Sequence, residues 1–223
     1  RAVDEILAQP GVAEALAGKT LVQLTTGSPE DARASAAWAA RHGVAYLDGA
    51  IQAAPSQMGQ ADTLVLISGD EAVFEQVKPL LADLAGHYVF LGSQADAAAT
   101  MDLATLSYVY GAFIGFLQGA LIAESQGLDV ALLGRLVADI SPSFGAFFAH
   151  EGQVISAGDF RISESPLRIS VEATRRIAEF SRAQRLDTQF PDLAASLMQR
   201  ADAAGLGNEE AAALIKVMRA RQV

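Results

Sequence analysis

The sequence predicts an α/β layer followed by an all-helical domain, and three observations carry that reading. Up to about residue 93, short β-rich runs alternate with helical patterns, the mark of an α/β arrangement. Beyond that point no convincing strand occurs. A run from Leu103 to Ala123 contains no charged side chain, long enough by itself to fill the core of a large helix or to cross a bilayer. The expected division is therefore 1–93 and 94–223.

The elements follow in order. TLVQLTT (Thr20 to Thr26) reads as a strand, and a helix follows from Pro29 to His42. Ser28 is its N-cap, Pro29 fits the first helical position, and Glu30 and Asp31 fall in the first turn. VAYLDGAI and TLVLISG read as two more strands, a helix covers Glu71 to Leu84, and HYVFLG is the last strand. A helical pattern then extends from about Gln94 to Ser125, roughly 48 Å at 1.5 Å per residue. Further helices are expected between breaks at Gly127, Pro142, Gly152 to Gly158, Pro166, Pro191 and Gly205 to Gly207.

Composition excludes several classes. The chain has 223 residues, 51% hydrophobic and 19% charged, enough to bury a large core and too apolar for disorder. A net charge of −10 repels a phosphate backbone, so no nucleic acid partner is expected. With no cysteine there are no disulfides, thiolate metal sites or cysteine nucleophiles, which is compatible with a cytoplasmic location. The opening residues, with Asp4, Glu5 and Glu14, do not read as an export signal. No GxGxxG run and no P-loop is present, and Gly205 to Gly207 read as a helix stop. His42, His87 and His150 lie far apart in sequence without metal-ligand spacing, so no metal site is expected.

Two places could carry chemistry. Ligands of open α/β sheets bind beyond the carboxyl ends of strands, which is where Thr25, Thr26 and Ser28 fall. The acidic first turn of the following helix opposes a phosphate there and favours a neutral part of a ligand; a capped turn that touches nothing is the plainer reading. In the apolar helix, Asp102 and Tyr110 stand out. Asp102 either caps an end of the run or lines a cavity, and Tyr110 is either a packed aromatic or an acid. Gly111, Gly115 and Gly119 form a ladder on one face. Each costs up to about 1 kcal/mol in a helix interior relative to alanine, which implies a compensating close contact. With acidic residues at both ends of the run, no basic flanks and no second span, a helix buried by other helices or by a second subunit is expected rather than a membrane span. The aromatics Phe144, Phe147 and Phe148 read as core.

TTGSPEDARASAAWAARHGVAYLDGAIQAAPSQMG, ISGDEAVFE, LGSQADAAATMDLATLSYVYGAFIGFLQGALIAESQGLD and GDFRISESPL, in order and spacing over nearly the whole chain, resemble the imine reductases, NADPH-dependent relatives of the β-hydroxyacid dehydrogenases. The resemblance implies the C-terminal part of a Rossmann-type domain, a long interdomain helix, and a helical domain that forms an intertwined homodimer, in which Phe144, Phe147, Phe148 and His150 line the partner's substrate pocket if they are not core. It implies that roughly the first third of the enzyme, with its glycine fingerprint, lies outside this sequence. Asp102 stands where the wider superfamily has a catalytic lysine, which fits an electrophile that is a C=N bond, often cationic. Tyr110 takes the position of the proton donor two turns along. Thr25, Thr26 and Ser28 fall at the nicotinamide end of NADPH, and Ala50 to Gly59 at the substrate wall. The implied reaction is hydride transfer from NADPH to a small, often cyclic, imine. A β-hydroxyacid dehydrogenase with an unusual acid, and a non-enzymatic truncated dimerisation module, remain alternatives.

Overall fold

The computed structural model describes residues 2–219. They form two compact units, one ending at Tyr110 and the other starting at Gly111.

The first unit opens with two short helices, α1 (Ala2–Leu7) and α2 (Val12–Leu16). Strands β1 (Thr20–Gln23), β2 (Ala45–Ile51), β3 (Leu64–Gly69) and β4 (His87–Phe90) form one sheet in sequence order. β1 and β2 are parallel, β2 and β3 antiparallel, and β3 and β4 parallel. The unbroken apolar character of β3 has a direct cause. Val65 and Ile67 pack on one face with Leu47, Phe74 and Ala85, while Leu66 packs on the other with Ala50 and Ala98. A strand covered on both faces has no polar alternation to show. Gly49 in β2 is required by space: a Cβ there would lie 2.7 Å from Leu24, 2.8 Å from Ile67 and 3.0 Å from the Leu66 carbonyl.

Helix α3 (Pro29–Arg41) starts as its sequence demands. Ser28 Oγ accepts the Asp31 N–H at 3.2 Å, and Asp31 Oδ2 accepts the Ser28 N–H at 2.8 Å, so the two residues close a reciprocal box. Helix α4 (Glu71–Leu81) is capped by Asp70, which accepts from Ala72 and Val73. Helix α5 (Ala97–Ser125) begins in the first unit and ends in the second.

The second unit contains α6 (Val130–Ala157), α7 (Leu167–Ala183), α8 (Gln189–Ala203) and α9 (Leu214–Arg219). Val154, Phe160, Leu167, Val171, Ala201 and Ala213 form its core. One expected break does not occur, because α6 runs through Pro142, whereas the break expected over Gly152 to Gly158 falls at Gly158, the left-handed C-cap of α6. Proline frees the carbonyl four residues back, and beside it Ser141 Oγ donates to the Val137 carbonyl at 2.6 Å. Pro191 lies in the first turn of α8, where its missing N–H costs nothing.

Glu210 is fully buried and holds this unit's loops together. Its carboxylate accepts the N–H groups of Ser163, Glu164 and Ser165 and the Ser163 hydroxyl. Burial opposes its ionisation, but the N–H groups of Glu164, Ser163 and Ser165 outweigh it and hold the carboxyl at about 2. Glu151 lies beside it with one oxygen accepting from Ala212 at 2.7 Å and the other, Oε1, buried without a hydrogen bond from any of the described residues. His150, expected to stand apart from acidic residues, is instead adjacent to both carboxylates and meets Ser163 Oγ at 2.8 Å. The lone pairs of Glu210 are committed to these loop donors, so the arrangement is a clamp on residues 163–165.

The long helices are less covered than their apolarity implies. Both α5 and α6 are long and apolar enough to cross a membrane, with mean hydropathies of 1.5 and 1.3, so a second candidate span exists where none was expected. Leu103, Tyr108, Val109, Phe113, Ile114, Leu117 and Leu121 on α5 are exposed, as are Leu132, Leu136, Ile140, Phe144 and Phe148 on α6. The core reading of Phe144 and Phe148 therefore does not hold within one chain. Nor does the glycine ladder receive another backbone. A Cβ added at Gly115 would lie 3.6 Å from the Phe190 ring and one at Gly119 3.6 Å from Leu133 Cδ2, while one at Gly111 would meet nothing within 4 Å among the described residues.

Candidate functional site

β1 ends at Gln23, and the chain turns through Thr25, Thr26 and Gly27 to the Ser28 cap of α3. Beside it β2 places Asp48, Gly49 and Ala50, and the first turns of α5 supply Ala99 and Asp102. These residues, with Gln23 and Ala32, line one narrow crevice in the first unit. The three residues expected at a cofactor and the carboxylate expected at a substrate thus face a common space. Tyr110 does not line that crevice. It lies two turns further along α5, exposed, about 12 Å from Asp102 along the helix axis at 1.5 Å per residue.

Asp102 is 6% exposed, and a carboxylate so placed needs a donor. Gln52, the residue after β2, provides it: Gln52 Nε2 donates to Asp102 Oδ1 at 2.6 Å. Thr105, one turn after Asp102, is 2.7 Å from Gln52 Oε1. The start of α5 is fastened to the sheet independently. Asp48 Oδ2 accepts the Ala99 N–H at 3.2 Å, and Ser68 Oγ accepts the Ala98 N–H at 3.0 Å. Asp96, just before the helix, is ion-paired with Arg33 of α3.

Asp48 is itself buried, 4% exposed, and its surroundings change its chemistry. Burial pushes its carboxyl up to about 6. The Tyr46 hydroxyl and the Ala99 N–H pull the other way, while the charges of Asp96 and Asp102 add to the rise. Burial also raises the Tyr46 phenol, with the Asp48 charge second. Sequence reasoning passed over Asp48 and reached Gln52 only as one position of the Ala50 to Gly59 substrate wall that the resemblance implies. The signal for Asp48 was an acidic residue inside the apolar run VAYLDGAI. Gln52 had no signal beyond its place at the end of a strand.

The chain's first part, residues 1–92, matches the family model described as the NAD binding domain of 6-phosphogluconate dehydrogenase. Residues 94–220 match NADPH-dependent reductive aminase-like, C-terminal domain. The chain belongs to the imine reductase and reductive aminase family. This family lies within the β-hydroxyacid dehydrogenase superfamily, and the Rossmann-like part followed by a helical region is its two-domain fold. An NADPH-dependent reductive aminase from Aspergillus oryzae is 32% identical over 208 residues, covering 91% of this chain and 70% of that protein. An imine reductase from Myxococcus stipitatus solved in complex with NADP+ superposes with a TM-score of 0.87 at 29% identity, over 96% of this chain and 75% of that one. A reductive aminase from Aspergillus terreus, solved with NADPH4, cyclohexanone and allyl amine, gives 0.85 at 29% identity, over 97% and 75%.

Proposed function

We propose that this protein transfers a hydride from NADPH to the C=N bond of imines, cyclic ones among them, to give amines. The observation that carries the reading is the shared crevice, in which Asp102 faces the same space as Thr25, Thr26 and Ser28. The chemistry of the lining, rather than its cavity volume of about 10 Å³, suits the nicotinamide end of such a cofactor. It offers hydroxyls and a glycine turn, Asp31 is turned back onto Ser28, and Glu30 is engaged by Arg33, so neither acid is aimed at a bound ring. NADPH, when bound, supplies the hydride.

The chain's own residues do the rest. Thr25, Thr26 and Ser28 hold the nicotinamide end. Asp102 presents a carboxylate to a protonated, cationic C=N group, a role that a lysine at this position could not fill. For a neutral imine, the Tyr110 phenol delivers the proton to nitrogen, worth a factor of about 10²–10⁴ where the pocket is dry. Side chains of a helix lean toward its N-terminus, which brings a Tyr110 ring back along α5 toward Asp102.

The apolar faces of α5 and α6 support a homodimer, since side chains such as Phe113, Leu117, Leu136 and Phe144 remain uncovered in one chain. A second copy, threaded along these helices, covers them and dries the surroundings of Tyr110. A soluble cytoplasmic enzyme is compatible with the charge of −10 and the absence of cysteine. The test is NADPH consumption by the purified protein with a small cyclic imine beside a β-ketoacid. Imine-selective turnover is expected. Selective turnover of the β-ketoacid would move the protein to the dehydrogenase class, and no turnover with either by the intact protein, glycine fingerprint included, would remove the enzymatic reading.

A further inference from the structure

The geometry points to Gln52 as a positioning residue: its amide fixes the Asp102 carboxylate in the crevice, and Thr105 fixes the amide. The inference rests on the reading of Asp102 given above, but the contact itself is independent of any substrate.

The hydrogen-bond logic allows one arrangement. An ionised carboxylate only accepts, so the Gln52 atom 2.6 Å from Asp102 Oδ1 is the NH₂ group. That leaves the amide oxygen facing the Thr105 hydroxyl at 2.7 Å, and two acceptors at that distance would repel. The Thr105 proton therefore goes to Gln52, even though the Asp102 carbonyl at 2.9 Å and the Met101 carbonyl at 3.2 Å compete for it. Thr105 thereby sets which way the amide points, and the amide sets where the carboxylate points.

Both ends of this relay are rigid. The Gln52 N–H donates to the Leu64 carbonyl at 2.9 Å, extending the β2–β3 ladder by one residue, so its Cα cannot drift. Asp102 and Thr105 are one turn apart on α5, whose start Asp48 and Ser68 tie to the same sheet. A hydrogen bond to a charged group is among the stronger ones, and a carboxylate without it has free rotamers around a reacting centre. Gln52 is thus a residue of the substrate wall whose effect is exerted through Asp102.

The experiment is a double-mutant cycle between Gln52→Met and Asp102→Asn, read in two ways. In turnover, Gln52→Met is expected to lower kcat roughly tenfold to a hundredfold, with KM for NADPH nearly unchanged. In the Asp102→Asn background the same change is expected to cost little more. Thr105→Val should lose part of the same effect and Thr105→Ser should regain most of it. In thermal unfolding, the shifts of the two single variants are expected to be non-additive. Additive unfolding shifts overturn the contact whatever the substrate. Equal kcat losses from Gln52→Met in both backgrounds overturn the relay through Asp102. A wild-type protein without imine turnover but with non-additive unfolding would keep the Gln52–Asp102 contact and sink the functional reading instead.

Discussion

Asp48 Oδ2 accepts the Ala99 N–H at 3.2 Å, which ties the middle of β2 to the first turn of α5, one turn before Asp102. The acid making this tie is pushed up to about 6 by burial, against an ordinary aspartate near 3.9. A carboxyl raised in the folded state binds its proton more tightly there than in the unfolded chain. Its contribution to stability is therefore full below about pH 4 and is lost as pH rises through about 6. The difference in melting temperature between wild type and Asp48→Asn should shift in favour of the variant across that window. A constant difference from pH 4 to 7 would show that Asp48 titrates normally.

Substitution at the two proposed catalytic positions should separate their roles. Tyr110→Phe removes only an exposed hydroxyl, so melting temperature and NADPH affinity should stay unchanged while kcat falls by about 10²–10⁴. Asp102→Asn keeps the shape but removes the charge offered to a cationic C=N group. Its loss should be larger for substrates that are protonated at the assay pH than for neutral ones. Equal losses for both substrate types would assign Asp102 to orientation alone.

Much of the first unit was legible because local signals agreed with one another. Ser28, Pro29 and Asp31 announce the start of α3, and the β-branched runs announce β2 and β3, since cap geometry and doubly covered strands leave direct marks. The convergence of Thr25, Thr26 and Ser28 with Asp102 could be placed only through the resemblance, because no local rule brings residues this far apart in sequence together. Asp48, and the pairing of Gln52 with Asp102, escaped notice for a similar reason: their chemistry depends on partners about 50 residues away. In the second unit, Pro142 marked a break that α6 ignores, because the hydrogen bonds of the flanking turns outweigh the one that proline removes.

The Glu210 clamp gives a prediction with the opposite sign. Its carboxyl, held at about 2 by the N–H groups of residues 163–165 despite burial, contributes stability above about pH 4.3 that is lost as pH falls toward 2. Glu210→Gln leaves a neutral amide among donors that want an anion and should cost on the order of 3 kcal/mol at neutral pH. For Glu151 the direction reverses. Burial raises its carboxyl, and an oxygen without a hydrogen bond sits close to the Glu210 charge. Glu151→Gln, which replaces like-charge repulsion by a possible N–H donor, should raise the melting temperature at pH 7 and lose that advantage in acid. Thermal unfolding from pH 7 down to about pH 2.5 measures both variants, the Glu210 difference narrowing only below about pH 4.

Gly111 offers a test of the proposed dimer that leaves the single chain intact. A Cβ there meets nothing within 4 Å, so Gly111→Leu has room within one copy and gains up to about 1 kcal/mol of helix propensity. If a second copy packs along α5, the added side chain enters the space its helix occupies. The variant should then show a lower molar mass by light scattering at micromolar concentration, with helicity by circular dichroism unchanged. Gly119→Leu is less informative, because Leu133 of the same chain already lies 3.6 Å from the position. A Gly111→Leu protein that remains dimeric would move the contact off the glycine face of α5. A wild-type protein that is monomeric at these concentrations would leave the apolar faces of α5 and α6 without a second copy to cover them, and the homodimer would be lost from the proposal.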